Sequence, residues 1–188
     1  MQKIRLAAPL QTDSIVDGPG IRAVIWTQGC KHHCKGCHNQ ETWDFEGGSL
    51  YSVDEVKKQM RALENHDGIT LSGGDPFFQP EACYELAKYA KKLGLNIWCY
   101  TGFTYEQLMK LRHVNPAIYQ LLEQVDVLVD GRFELSQKSL NLKFKGSRNQ
   151  RIIDVPKSLK EDRVVTIEKY NEEKVWKQKY QKDDFLYI

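Results

Sequence analysis

Cys30-Lys31-His32-His33-Cys34-Lys35-Gly36-Cys37 is the stretch of sequence that decides the fold and the chemistry. Thiolates are soft ligands that select zinc or iron–sulfur clusters. Electron carriers of the ferredoxin type usually hold each cluster with four cysteines, whereas this motif supplies three. A site with one protein ligand fewer leaves a position for substrate, water or cofactor, as catalytic metal sites do. The spacing therefore predicts a metal centre with one open corner.

A zinc site remains the alternative explanation of the cysteines, because His32, His33 or His38 could complete it. Otherwise we expect the first two histidines to be exposed loop residues, while His38 directly follows the last cysteine. A disulfide framework is not expected, since the five cysteines are an odd number and the chain does not begin like a signal peptide. Cys83 lies on an apolar helical stripe and Cys99 within an apolar strand, so both are predicted to be core thiols.

The bulk composition is that of a single globular domain. The chain has 188 residues, 41% of them hydrophobic and 28% charged, which is ordinary for a soluble protein. A net charge of +2 is too small to indicate binding to nucleic acid or to an anionic membrane. No apolar stretch is long enough to span a bilayer. Reduced cysteines without a targeting signal predict a cytoplasmic protein.

Short apolar strands alternate with amphipathic helices along the chain. The predicted strands are Ile21–Gln28, Ile69–Ser72, Asn96–Tyr100, Asp126–Asp130, Arg151–Val155 and, more weakly, Val164–Ile167. The predicted helices are Val53–Asn65, Glu81–Leu93, Tyr105–Arg112 and Pro116–Glu123. This alternation predicts an α/β fold, a partial (β/α) barrel of mainly parallel strands with covering helices.

Unusual residues follow four of the predicted strands. The cysteine motif follows the first, and Ser72-Gly73-Gly74-Asp75-Pro76, Thr101-Gly102 and Asp130-Gly131 end the next three. Because the carboxyl ends of parallel strands form the active-site face of α/β proteins, one site is predicted there. Asp130 either faces the site or caps the following turn. Asp17-Gly18-Pro19-Gly20 precedes the cysteine-bearing strand, so we expect it at the opposite end unless the segment folds over the edge.

These motifs together resemble a known enzyme family. The three cysteines and Gly73-Gly74-Asp75-Pro76 are similar to the radical S-adenosylmethionine superfamily, and Asp17-Gly18-Pro19-Gly20-Ile21-Arg22 is similar to its glycyl-radical-enzyme activases. Within these, the segments Cys37–Trp43, Trp98–Gly102, Asp126–Gly131 and Gly146–Arg151 resemble the activating proteins of anaerobic ribonucleoside-triphosphate reductase.

The resemblance implies a cofactor set and a reaction. One [4Fe–4S] cluster would be held by three cysteines, with S-adenosyl-L-methionine on its fourth iron. An electron from a low-potential donor such as flavodoxin would cleave the sulfonium, and the resulting deoxyadenosyl radical would remove hydrogen from a glycine of the partner reductase. The chemistry is the cofactor's, while the protein binds, orients and excludes side reactions.

The resemblance also implies which residues bind the cofactor. Cys30, Cys34 and Cys37 would be the metal ligands and the centre of catalysis. The remaining implied contacts are Gly36, Cys37 and His38 along the adenine, Gly73, Gly74 and Asp75 at the methionine amino group, and Asp17 and Asp130 near its carboxylate or a bound cation. The chain departs from the pattern at Gly36, where many members have an aromatic residue, and at His38, often tyrosine in this branch. Adenine stacking is therefore expected to be moved or weakened.

The resemblance divides the chain into a radical S-adenosylmethionine domain over residues 1–156 and a charged C-terminal extension over 157–188. We expect the extension to be a solvated helix whose aromatic residues pack on the domain. Three other functions remain open: an activase of the pyruvate formate-lyase type, a radical enzyme acting on a small molecule, and a zinc-binding module without catalysis.

Overall fold

The computed structural model describes residues 2–172, which form eight strands in one sheet and six α-helices. The strands are β1 Lys3–Leu6, β2 Gln11–Ser14, β3 Arg22–Thr27, β4 Ser49–Ser52, β5 Gly68–Gly73, β6 Asn96–Tyr100, β7 Val127–Asp130 and β8 Arg151–Asp154. The helices are α1 Val53–Arg61, α2 Pro80–Lys92, α3 Tyr105–Leu111, α4 Pro116–Gln124, α5 Val155–Glu161 and α6 Glu168–Asn171.

The centre of the sheet is parallel and its margins are antiparallel. The strand order is β4-β1-β3-β5-β6-β7-β8, with β2 also paired to β3. Strands β3, β5, β6 and β7 run parallel to one another, whereas β1, β2, β4 and β8 are antiparallel to their partners. The prediction of an α/β fold with mainly parallel central strands and covering helices is thereby confirmed.

The two faces of the sheet have different coverings. Alternate residues such as Ile25, Leu71 and Cys99 pack with the helices in the main hydrophobic core, because successive side chains of a strand point to opposite faces. The opposite face of the sheet, which we call the inner face, carries Trp98, Val129 and their neighbours. These residues pack with Phe144, Ile167 and Tyr170 from the C-terminal part of the chain.

Arg22 is an unusual member of the inner face because its charge is buried. Its guanidinium donates to Thr70 Oγ1 at 2.8 Å and to the carbonyl oxygen of Asn96 at 3.1 Å. It also lies 5.7 Å from the centroid of the Trp98 ring. Burial lowers the pKa of Arg22 to about 10, since desolvation disfavours the charged form.

Local signals in the sequence set most helix ends. Ser52 and Glu55 form the capping box that begins α1, and Thr104 and Gln107 form the one that begins α3. Three strands, β1, β2 and β4, were not predicted, because they are short and partly exposed. The predicted strand Val164–Ile167 is wrong: the pairing there is a single bridge between Ile153 and Thr166.

The C-terminal extension is described as far as residue 172. Helix α5 crosses the predicted boundary at residue 156, and the ring of Tyr170 packs 5.6 Å from Trp98. The division at that boundary stays a prediction. The aromatic residues beyond 172, on which the predicted packing also depended, lie outside the described residues. Within residues 2–172, no helix has the length and apolar character needed to cross a membrane.

Candidate active site

A cavity of about 440 Å³ opens at the carboxyl ends of the parallel strands, where the sequence predicted a site. It brings together residues from the loops after β3, β5, β6 and β7 and from the loop before β3. Its lining includes seven of the predicted site residues: Cys30, Cys34, Cys37, His38, Gly73, Gly74 and Asp17. Gly36, Asp75 and Asp130 are not among the lining residues. A larger cavity, about 620 Å³, lies at the amino ends of the strands and contains no cysteine, so we place the chemistry at the smaller one.

Backbone amides lie near the cysteine sulfurs of the motif. The Asn39 amide donates to Cys37 Sγ at 3.4 Å, and the backbone of His32 and of Phe133 lowers the pKa of Cys30 and of Cys34 respectively, against the larger effect of burial. Burial raises the pKa of the Cys30 thiol to about 11 and also raises that of Cys34. Thiolates are the metal-binding form, so a metal bound here would have to displace these protons.

His32 is not the exposed loop residue that the sequence predicted. Its side chain is 5% exposed, and Nε2 lies 2.8 Å from Asp75 Oδ2. The ring packs edge-on against Phe103, with the centroids 4.6 Å apart. A Cβ on Gly102 would come within 2.3 Å of the imidazole. The middle of the cysteine loop is therefore anchored in the protein interior, whereas His33 stays exposed.

Asp75 joins the cysteine loop to the ends of β5 and β6. Besides His32, its Oδ2 accepts from Thr101 Oγ1 at 2.8 Å and from the Gly102 amide at 2.9 Å, while Oδ1 accepts from the Phe77 amide at 2.9 Å. The residue is fully buried. These contacts hold three segments in fixed positions. The predicted contact between Asp75 and a cofactor stays a prediction.

Gly73 and Gly74 bring the end of β5 against the cysteine-bearing segment. The Gly74 amide donates to the Thr27 carbonyl oxygen at 2.7 Å, and the next amide donates to Gly29 at 3.0 Å. A Cβ on Gly74 would lie 2.5 Å from the Gly29 oxygen, and Gly73 has a φ of +95°. The glycines therefore allow two backbones to meet directly beside Cys30 while lining the cavity.

Asp17 reaches the site because residues 15–20 fold across the inner face of the sheet. Its carbonyl oxygen accepts from Thr70 Oγ1 at 2.7 Å, and its Oδ2 accepts from Ser14 Oγ. The tight approach requires Gly18, with a φ of +131° and 2.8 Å between a Cβ and the Arg22 side chain. Asp17 therefore lines the cavity at the carboxyl end of β3, although it precedes the start of that strand in the chain.

Asp130 is buried and paired with a cation. Its carboxylate accepts from Arg151 Nε at 2.9 Å and from the Tyr105 amide at 2.8 Å. Arg151 also makes a bidentate contact with Glu106, at 3.0 and 2.8 Å. The carboxylate therefore holds Arg151 and the first amide of α3, which precedes Asp130 in the chain, and among the described residues it caps no turn after β7. Its predicted place near a cofactor carboxylate stays a prediction.

The segment after β7 closes one side of the cavity and was missed as a site element. Gln150 Nε2 donates to the Gly131 carbonyl oxygen at 2.9 Å, and Asn149 Nδ2 donates to that of Arg132 at 2.8 Å. These side chains fold the segment over the cysteine loop, where Phe133 lines the cavity. The motif Gly146–Gln150 could have indicated this element, but it was interpreted only as evidence of the family resemblance.

The donor set fits a cluster better than a single ion. Within the part of the chain that the structure describes, no group of three or more His, Cys, Asp or Glu side chains could hold one metal ion. A cubane distributes its cysteine ligands over different irons, so its sulfurs need not converge on a point. Three thiols in one loop that line one cavity suit that arrangement.

Comparison with known proteins identifies the family. Residues 16–153 match the model of a 4Fe-4S single cluster domain. The anaerobic ribonucleoside-triphosphate reductase-activating protein of Enterobacteria phage T4 is 34% identical over 147 residues, 73% of this chain and 86% of that protein. The protein of the same name from Vibrio cholerae is 36% identical over 144 residues, 72% and 89%, and that of Escherichia coli K12 is 34% identical over 145, 72% and 90%.

A solved structure, that of QueE from Escherichia coli, aligns with a TM-score of 0.43 and 17% identity over 54% of this chain and 53% of the other. A likeness of this size supports no conclusion. The matches in sequence are sufficient, since they extend over most of both chains. They confirm the relationship that the cysteine and glycine motifs predicted. The chain therefore belongs to the family of anaerobic ribonucleoside-triphosphate reductase-activating proteins and carries an iron–sulfur domain.

Proposed function

We propose that this chain is an activating enzyme that cleaves S-adenosylmethionine reductively at a [4Fe–4S] cluster and generates a glycyl radical on an anaerobic ribonucleoside-triphosphate reductase. The observation that carries the proposal is the meeting of Cys30, Cys34 and Cys37 with Gly73 and Gly74 around one cavity. The names of the relatives identify the reductase as the partner. When bound, the cluster and the sulfonium supply a low-potential electron and a carbon radical able to remove a hydrogen atom.

The three cysteines are proposed to hold one cluster per chain and to leave one iron for the sulfonium cofactor. The Asn39 amide that donates to Cys37, together with the backbone of His32 and Phe133 near the other two sulfurs, favours the thiolates in a partly buried site. Asp75 and His32 are positioning residues in this scheme. Asp75 does not line the cavity, and its contact with the His32 ring fixes the cysteine loop.

The rest of the cavity is proposed to bind the methionine and nucleoside parts. Gly73 and Gly74 expose backbone at the wall, where an ammonium group can be accepted. Asp17 lines the same space and is proposed to offer its carboxylate there. Gly36, Cys37 and His38 are proposed along the adenine. Asp75 acts from behind this wall, through Thr101, which lines the cavity. Asp130 is proposed near the methionine carboxylate or a bound cation.

The partner must enter by the open side of the cavity. A glycine in a polypeptide loop has no side chain, so its α-carbon can approach a reactive centre closely. A small-molecule substrate needs no such opening. A low-potential donor of the flavodoxin type is proposed to deliver the electron, since one-electron reduction of a [4Fe–4S] cluster needs a strongly reducing partner.

Anaerobic spin resonance tests the proposal. The reconstituted chain is expected to contain about four iron and four sulfide ions per chain, to cleave S-adenosylmethionine under reduction, and to produce a glycyl signal in a co-purified reductase. Zinc without sulfide would overturn the cluster, and cofactor cleavage without a glycyl signal in any such reductase would overturn the activase. Replacing the target glycine of the reductase with alanine is the matched control.

A further inference from the structure

Phe133 stands beside the third cysteine although it comes from a distant part of the sequence. Its ring lines the cavity together with Cys37 and His38. The rings of Phe133 and His38 have centroids 5.4 Å apart and planes inclined by 45°. The Phe133 backbone lies beside the Cys34 sulfur. One residue thus contacts the cysteine loop through its backbone and faces the cavity through its ring.

A side chain at position 36 would be strained and crowded in this fold. Gly36 has a φ of +77°, a conformation that residues with side chains rarely adopt. A Cβ there would lie 3.0 Å from Leu135 Cδ1 and 3.5 Å from Phe133 Cε1. The space beside Gly36 is therefore already occupied by side chains from the segment after β7, and the Phe133 ring takes the place of an aromatic residue at position 36.

The Gly146–Gln150 segment fixes the ring in this place. A Cβ on Gly146 would lie 2.9 Å from Phe133 Cδ2, so the glycine makes room for the ring on its other side. Gln150 Oε1 accepts from the Gly146 amide at 2.8 Å, while its Nε2 binds Gly131. The Gln150 side chain thus binds both Gly131 and Gly146, on either side of Phe133 in the chain. The Phe133 ring is therefore preorganised rather than free to move away.

Other aromatic residues of the cavity wall are held by different partners. The Tyr100 hydroxyl donates to the Phe144 carbonyl oxygen at 2.9 Å, and Trp26 Nε1 donates to Gln11 at 2.8 Å. The Trp43 ring packs edge-on against His33. Phe133 has no polar group to satisfy, and its ring adjoins the residues that flank Cys37.

We propose that the Phe133 ring supplies the aromatic surface on which the adenine of S-adenosylmethionine stacks, in place of a residue at position 36. This inference rests on the proposed function. Aromatic rings stack on any base through its π-face, and removal of one stacking ring typically weakens binding by one to two orders of magnitude. His38, inclined to the ring, would border the same base.

Equilibrium dialysis with labelled S-adenosylmethionine tests the inference on the reconstituted chain. Phe133→Leu and Phe133→Ala should raise the dissociation constant about tenfold or more, whereas Phe133→Tyr should stay within about twofold of the parent. Gly146→Ala keeps the ring but forces it to shift, so it should also weaken binding. Phe45→Leu is the matched control, because Phe45 packs on Gly29 outside the cavity lining.

Iron and sulfide content and the spin-resonance spectrum of the reduced cluster must be measured in the same samples. The inference predicts unchanged cluster content in Phe133→Leu with weakened cofactor binding. Equal affinity in Phe133→Leu and the parent would overturn it while leaving the proposed function standing. A loss of cluster large enough to account for all of the lost cofactor binding in Phe133→Leu would also overturn the inference. Failure of the parent chain to bind S-adenosylmethionine would overturn the proposed function itself.

Discussion

Replacement of Asp75 by asparagine is the change that most directly tests how the site is held. The substitution keeps the size of the side chain and leaves one oxygen to accept from the Phe77 amide. The other oxygen becomes an NH₂ group, which cannot accept a hydrogen bond. Its present donors are Thr101 Oγ1, the Gly102 amide and His32 Nε2.

The three donors differ in how well they can adapt. The Thr101 hydroxyl can rotate, and a neutral imidazole can accept from the new NH₂ group. The Gly102 amide is fixed, so it loses its partner in a fully buried place. An unsatisfied buried donor costs about 1–3 kcal/mol. We therefore expect the free energy of unfolding to fall by roughly 1–3 kcal/mol, equivalent to several degrees in Tm for a chain of this size.

Urea unfolding under anaerobic reducing conditions measures this loss, with the fluorescence of the buried Trp98 as one probe. Asp154→Asn is the matched control. Asp154 caps helix α5 by accepting from the Lys157 amide, and asparagine is an equally good cap, so its free energy of unfolding should change by only a few tenths of a kcal/mol. A loss below about 1 kcal/mol in Asp75→Asn would refute the view that Asp75 ties the three segments together.

Three further changes test other parts of the site. Cys34→Ala should remove most iron and sulfide after reconstitution, whereas Cys83→Ala, in the helical core, should retain both; iron retained in Cys34→Ala would contradict the ligand assignment. Gly74→Ala places a Cβ 2.5 Å from the Gly29 oxygen, so it should lower cluster content, while Gly94→Ala, with open space around it, should not; equal contents would refute the close-approach argument. Arg151 lowers the pKa of Glu106 to about 2, below the value of this carboxyl group in the unfolded chain. The ion pair therefore stabilises the fold above about pH 4.5, and this stabilisation disappears as the pH falls towards 2. Glu106→Gln should therefore lower the free energy of unfolding by at most about 1 kcal/mol at pH 6, since the pair is partly exposed, and by almost nothing near pH 2; a difference that does not change with pH would refute this pairing.

Local patterns predicted much of the fold because their causes are local. A capping box involves residues three apart, so Ser52 and Thr104 identify their helix starts correctly. The central strands β6 and β7 contain continuous apolar runs, as expected of strands covered on both faces. The short strand β2 has three exposed residues out of four, so it carries no comparable hydrophobic pattern.

The sequence by itself determined the ligand motif, its place after a parallel strand and the family, because ligand spacing and strand direction follow from neighbouring residues. Only the tertiary structure decided that His32 is buried against Asp75, that Asp17 crosses the inner face, and that Phe133 stands beside Gly36. These positions depend on contacts between segments far apart in the chain. Side-chain type alone does not specify such contacts, since the same histidine or phenylalanine is equally compatible with an exposed loop until the opposing backbone is in place.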